Sequence, residues 1–115
     1  MTHISDYYAP ILGEFEHLVL MALYRLGNGA YGAAIRRYVV ERTGRDVPES
    51  AVYVALARLE RKKMVCSYVG SPSPQRGGRR RKHYLLDNEG QRALGRAYRT
   101  FRSMAEGVEK DLESL

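Results

Sequence analysis

Arg76-Gly77-Gly78-Arg79-Arg80-Arg81-Lys82 combines five cations with two glycines in seven consecutive residues. These are the residue types that phosphate recognition needs. Arginine's planar fork donates two hydrogen bonds at once to a phosphate and also favours narrow minor grooves. Gly77 and Gly78 let the backbone turn sharply and approach a partner closely. Between Arg58 and Lys82, nine Lys/Arg stand against one acid, Glu60, while the whole chain carries only +6. Like charges at this density repel one another, and an adjacent polyanion removes that cost. Nucleic-acid backbone is the polyanion that fits best. A solvated hairpin tip is the plain alternative, but nine cations in twenty-five residues exceed what solubility requires.

Other chemistry is thin. Glu14 and His17 lie three apart, a spacing compatible with metal ligation, but two ligands do not make a site. His83, between Lys82 and Tyr84, reads as a polar residue of the same arm rather than a general base. Cys66 is alone, which excludes an internal disulfide and a cysteine metal cluster; it reads as a small core or strand residue. No nucleophile has a base and an orienting acid at a telling spacing. Gly77-Gly78 lacks the lysine-serine helix start of a phosphate-cradling loop. The expectation is a protein that is not an enzyme and holds no metal or cofactor.

The 115 residues, 44% of them apolar, suit one compact domain. No apolar run approaches the roughly 20 residues that span a bilayer. The opening Met1-Thr2-His3-Ile4-Ser5-Asp6 lacks the basic and apolar regions of a signal peptide. These features imply a cytoplasmic protein, nucleoid-associated when bound to DNA, with no membrane partner.

The elements that must position the basic arm follow from periodicity. Residues 1–10 read as an N-terminal arm. Ile11, Leu12, Phe15, Leu18, Val19, Ala22, Leu23 and Leu26 define one face of a first helix, stopped by Gly27-Asn28-Gly29. A second helix runs from about Tyr31 to Thr43 and stops at Gly44. Pro48-Glu49-Ser50 opens a third, with proline and an acid where both favour a helix start. Its inward face is Val52, Leu56, Leu59 and Met64; Tyr53, Arg58, Arg61 and Lys62 point outward. Val65–Val69 and Lys82–Leu86 read as strands joined by a loop of about a dozen residues, long for a hairpin. A last helix, capped by Asp87 or Asn88, runs to the C-terminus.

Three helices followed by a hairpin make a winged helix-turn-helix: mainly α with a small β-hairpin wing, plus a C-terminal dimerisation helix. The expected organisation is an arm (1–10), a winged DNA-binding unit (11–87) and a dimerisation helix (88–115). In this arrangement the third helix enters a major groove and the hairpin reaches an adjacent groove or the backbone. Ser50, Tyr53, Val54 and Arg58 are the candidate contacts on the third helix, with Arg58 expected on phosphate. Arg76 to Lys82 are the candidates on the wing.

Three segments together resemble the PadR family of bacterial transcriptional regulators. The first is Leu12-Gly13-Glu14-Phe15-Glu16 with Leu18, Leu20, Ala22 and Leu23, followed by Tyr31-Gly32 and Ile35. The second is Ala51-Val52-Tyr53 with Leu56, Arg58, Leu59 and Glu60. The third is Arg76-Gly77-Gly78-Arg79-Arg80-Arg81-Lys82-His83-Tyr84 with Leu86 and Gly90. The similarity covers roughly residues 11–95. It implies a homodimeric repressor on an inverted-repeat operator, with the third helix and wing on DNA and the terminal helix at the dimer interface. The family commonly has glycine after the third helix, where this chain has Lys63.

Leu94, Tyr98, Phe101, Ala105, Val108, Leu112 and Leu115 recur at steps of four and three, a heptad seam suited to self-association. Tyr7, Tyr8, Phe15 and Tyr98 form an aromatic set that a small aromatic effector could use, although interface packing alone accounts for them. The leading expectation is a double-stranded DNA-binding regulator. The alternative is a winged module for RNA or a protein partner without operator specificity, favoured if single-stranded RNA competes against duplex.

Overall fold

Helix α1 (Glu14–Leu26) starts three residues later than its apolar periodicity suggests. Gly13 stays extended, and its N–H donates to the Glu16 carboxylate at 3.1 Å. A side chain three residues into the helix thereby satisfies the amide at its mouth, and Ile11 is left exposed. The computed structural model describes residues 11–115, so the expected arm at 1–10, with Tyr7 and Tyr8, lies outside the described residues. After Gly27 come a two-residue strand β1 (Ala30–Tyr31) and helix α2 (Gly32–Thr43). Helix α3 (Glu49–Arg61) follows Pro48, as its start signals require. Strand β2 (Val65–Val69), a single 3₁₀ turn (Pro74–Arg76) and strand β3 (Lys82–Leu86) form the wing. Helix α4 (Asn88–Ala105) and a short α5 (Glu109–Ser114) complete the chain.

The sheet has three strands in the order β1-β3-β2, all antiparallel. β2 and β3 pair as a hairpin from Val65↔Leu86 to Val69↔Lys82. β1, absent from the sequence reading, pairs Ala30 with Tyr84 and Tyr31 with His83. Gly29 N–H donates to the Tyr84 carbonyl at 2.9 Å, and the Asn28 side-chain oxygen accepts from Leu86 N–H at 2.8 Å. The turn after α1 is thus spent holding the wing's return strand, and the wing is tied to the helical body along that strand.

The core lies where α1, α2 and α3 meet, filled by Leu20, Leu23, Ile35, Leu56 and Leu59, and closed by Met64 and Val65. Truncating one of these leucines to alanine costs roughly 2–5 kcal/mol. The turn out of α3 needs a left-handed residue, and Lys63 supplies it at φ +61°, alone among the described non-glycine residues. Glycine at this position, the family habit, would adopt that conformation without the Cβ conflict.

α4 enters the same core through Gly90, Ala93 and Leu94. A Cβ on Gly90 would overlap the Met64 carbonyl oxygen and lie 2.7 Å from Leu86 Cδ1, so only glycine lets the helix approach this closely. The helix does not run to the C-terminus as its heptad spacing suggested. Glu106 leaves helical geometry (φ −58°, ψ 125°), Gly107 adopts φ +91°, and α5 restarts at Glu109. Leu94 is only 6% exposed and packs in its own chain's core, so it is not an available seam residue. Among the described residues no helix is long and apolar enough to cross a membrane.

Candidate nucleic-acid interface

α3 divides cleanly by side. Val52, Ala55, Leu56 and Leu59 are buried. At 100° per residue the opposite stripe is Ser50, Val54, Ala57 and Arg61, with Tyr53 on one flank and Arg58 on the other; all six are exposed. Arg61 and Ala57 at the centre of this stripe were not among the contact residues chosen from sequence. Counting seven residues on from Ser50 would have found Ala57 beside Val54, which the sequence already offered, but alanine is not a conspicuous ligand type.

Tyr53 is 41% exposed and so is not a core residue. Its ring lies against the start of α2, where a Cβ on Gly32 would stand 2.5 Å from it. Its hydroxyl lies 3.5 Å from the Glu49 carboxylate, and its pKa is raised, by burial first and then by that carboxylate. Gly32 thus seats a tyrosine from the neighbouring helix. Arg58, on the other flank, lines a second groove with Gly13, Glu14 and Ser50.

An open groove runs between α3 and the wing, lined by Tyr53, Ala57, Glu60 and Arg61 from α3 and Lys82 and Tyr84 from β3. Glu60, the lone acid of the basic segment, is spent inside it. Its carboxylate accepts the Ser67 hydroxyl at 3.1 Å and lies 3.9 Å from Lys82 Nζ. Tyr84 is buried beside it, its pKa pushed up to about 12 by burial, then by Tyr53 and Glu60.

The five wing cations are not equivalent. The loop tip closes on the Ser73 carbonyl, which accepts from Arg76 N–H at 3.0 Å and Gly78 N–H at 2.9 Å. Gly77 and Gly78 both take positive φ (+65° and +78°), which is the backbone freedom this tip demands. Arg76 turns back on the loop, donating to the Ser71 carbonyl at 3.2 Å and the Arg79 carbonyl at 3.4 Å; Arg79 Nε donates to the Arg76 carbonyl at 2.9 Å. Arg81 lies 3.8 Å over the Tyr31 ring. Lys82 faces Glu60. Arg80 is exposed at the tip.

His83 anchors the arm. Its Nδ1–H donates to the Gly29 carbonyl at 2.7 Å, and its ring stacks on Tyr68 at 5.0 Å. A side chain on Gly70 would meet this ring at 2.7 Å. Lys62, counted from sequence with the outward cations, is instead paired with the nearly buried Glu16 at 2.8 Å and donates to the Ile11 carbonyl at 3.1 Å. This clamp joins the end of α3 to the mouth of α1.

The remaining candidates do not assemble. Glu14 pairs with Arg45 at 2.9 Å, and burial lowers the pKa of His17. Among the described residues no group of three His, Cys, Asp or Glu could hold a metal. Burial, then Asp87, raise the Cys66 thiol pKa, the opposite of an activated thiolate. Phe15 packs against the core, whereas Tyr98 stands exposed on α4. Tyr98, Phe101, Val108 and Leu112 are exposed and Ala105 half-buried, the last part of the series lying beyond the break at Gly107.

Comparison with known proteins agrees with this geometry. The model of the "Transcriptional regulator PadR-like family" matches residues 19–96. A PadR family transcription regulator from hypervirulent Clostridium difficile is 29% identical, with a TM-score of 0.69 over 87% of this chain and 99% of that one. A PadR family regulator from Eggerthella lenta is 27% identical, with a TM-score of 0.66 over 89% of this chain and 88% of that one. A transcriptional regulator from Clostridium thermocellum, 23% identical with a TM-score of 0.66 over 83% of this chain and 89% of that one, shares the fold. No curated protein matches the sequence. Members of this family are DNA-binding transcription regulators, not enzymes. With the family's match running from the middle of α1 to the middle of α4, the chain belongs to the PadR-like family of transcriptional regulators.

Proposed function

We propose that this protein is a homodimeric repressor that occupies an inverted-repeat operator in double-stranded DNA. The observation that carries this reading is the shared groove between α3 and the wing, with Arg61 on one wall and Lys82 on the other. One duplex can meet both elements at once. In this reading Ser50, Tyr53 and Val54 face bases, while Arg58, Arg79, Arg80 and Arg81 face phosphates or a flanking minor groove. Arg76 and Lys82 contribute charge while holding the loop and its base in shape, and Gly77 and Gly78 give the tip its close approach.

Self-association rests on the second half of α4. Phe101 is 76% exposed and Met104 81%, beside Tyr98, with Val108 and Leu112 following after the break. So large an apolar face left in water favours a second copy of the chain. A two-fold dimer would place two α3 helices about 34 Å apart, one turn of duplex. The second half of α4 and α5 then serve as the dimerisation segment, while the first half of α4 packs with residues 11–87 in the DNA-binding unit. A small aromatic effector would bind beside Tyr98 at this interface; planar aromatic compounds should then raise the Tm in a thermal-shift screen, and no stabilisation by any of them removes the effector from the proposal.

The test is fluorescence anisotropy on labelled duplex with unlabelled competitors, together with light scattering. Duplex DNA should outcompete single-stranded RNA, and Phe101→Asp should give monomers that lose operator binding. RNA competing better than duplex would replace this reading with an RNA-binding module, and a stable Phe101→Asp dimer would place the interface elsewhere.

A further inference from the structure

Under the DNA-binding reading above, the exposed stripe of α3 carries something more specific than charge. We propose that α3 reads the C5-methyl groups of pyrimidines in the major groove through Val54 and Ala57, so that operator choice depends on thymines at defined positions.

From Glu49 to Ala57 the exposed side of α3 carries Glu49, Ser50, Tyr53, Val54 and Ala57. None is an arginine, lysine, asparagine or glutamine, the side chains that read guanine or adenine in bidentate fashion. The arginines come later, at Arg58 and Arg61, whereas the N-terminal residues of a recognition helix are those that reach base edges. Glu49, which could accept from cytosine, lies at the helix start beside the Tyr53 hydroxyl. Tyr53 itself is seated on Gly32 at the flank. What remains at the centre is Ser50, Val54 and Ala57: one hydroxyl and two small apolar groups.

Folding does not explain Val54. It is 51% exposed, so it buries little, and a β-branched residue is a poorer helix former than alanine. Its surroundings do not suit an apolar docking patch either, because the groove it lines also carries the Ser50 hydroxyl, Arg58 and the Glu14 carboxylate. In the major groove the apolar group available to such side chains is the thymine C5-methyl, with cations beside it to meet the phosphates. The same methyl occurs on 5-methylcytosine, so the chemistry is shared by two bases.

The experiment uses the full chain and a duplex obtained by selection from random sequence. Each thymine is replaced singly by deoxyuridine, which removes only the methyl. Binding should weaken about fourfold at each contacted thymine, the equivalent of one buried methyl group. With Val54→Ala, a stronger helix former, the penalty at one position of each half-site should vanish while the salt dependence stays as in the unaltered chain. Replacing a contacted thymine by cytosine and then by 5-methylcytosine, each opposite guanine, separates the sources: recovery on methylation shows that the methyl is read on either pyrimidine, and no recovery assigns the site to thymine. Equal binding of every deoxyuridine duplex by a protein that still selects its operator overturns the methyl-reading proposal and leaves the regulator standing. A deoxyuridine penalty unchanged by Val54→Ala also overturns the role of Val54. Failure to select any sequence overturns both readings.

Discussion

Removing one arginine from the wing tip should change the salt dependence of DNA binding by an amount that depends on which arginine is removed. Arg80 is exposed at the tip, whereas Arg76 donates to the Ser71 and Arg79 carbonyls. A phosphate neutralised on B-DNA contributes about 0.9 to the slope of log affinity against log salt. With one Arg80 from each protomer, Arg80→Ala should flatten the slope by about 1.8. Between 50 and 200 mM salt, a fourfold change, the affinity gap between unaltered protein and variant should narrow about twelvefold. Operator and unrelated duplex should respond alike, because phosphate carries no sequence. Arg76→Ala should behave differently. It removes the brace of the tip, so affinity should fall through lost preorganisation with a smaller change in slope. The assay is anisotropy on a labelled duplex across that salt range. A slope for Arg80→Ala equal to that of the unaltered protein, on both duplexes, would refute the assignment of the tip to phosphate.

Three further outcomes are expected. Lys63→Gly relieves a left-handed lysine at some cost in unfolded-chain entropy, for a net gain of about 0.5 kcal/mol and a rise in Tm of about 2 °C; a fall in Tm measured by calorimetry would contradict the strain argument. Gly32→Ala should push the Tyr53 ring off its seat and weaken operator binding more than it lowers Tm, and unchanged DNA affinity would show that the seat has no role in binding. Glu89 has its pKa lowered, chiefly by the hydrogen bond from Arg96 at 2.7 Å, so its folded value lies below the ordinary 4.5. The depressed value means its contribution is complete above pH 4.5 and is lost as pH falls through the folded value. Glu89→Gln should therefore be less stable than the unaltered protein at pH 7, with the gap closing on acidification; a gap that widens in acid would contradict the linkage.

The elements with a strong internal signal were legible from sequence. α3 could be read from Pro48, Glu49 and the spacing of Val52, Leu56 and Leu59. β2 and β3 were marked by β-branched and aromatic runs on either side of a Pro/Gly-rich loop. β1 was invisible because two residues have no period, and its pairing of Ala30 with Tyr84 is defined only by a strand more than fifty residues away. The break at Gly107 was hidden because the steps of four and three continue across it in sequence while the backbone does not follow them. Charge counting located the basic surface but could not sort it. Nothing local distinguishes Lys62, spent on Glu16 forty-six positions away, from an outward cation. Nor does composition separate Arg76, folded back on its own loop, from Arg80. Ala57 on the α3 stripe was passed over for a related reason: an alanine does not look like a ligand until the arginines are seen to lie at the far end of the helix.

The central claim is that α3 and the wing together recognise a particular duplex as a dimer. The most direct test is selection from a pool of random duplex DNA at near-physiological salt, followed by sequencing. The account predicts an inverted repeat with half-sites about one helical turn apart. Salt-sensitive binding that enriches no sequence would contradict it and leave only a basic winged fold.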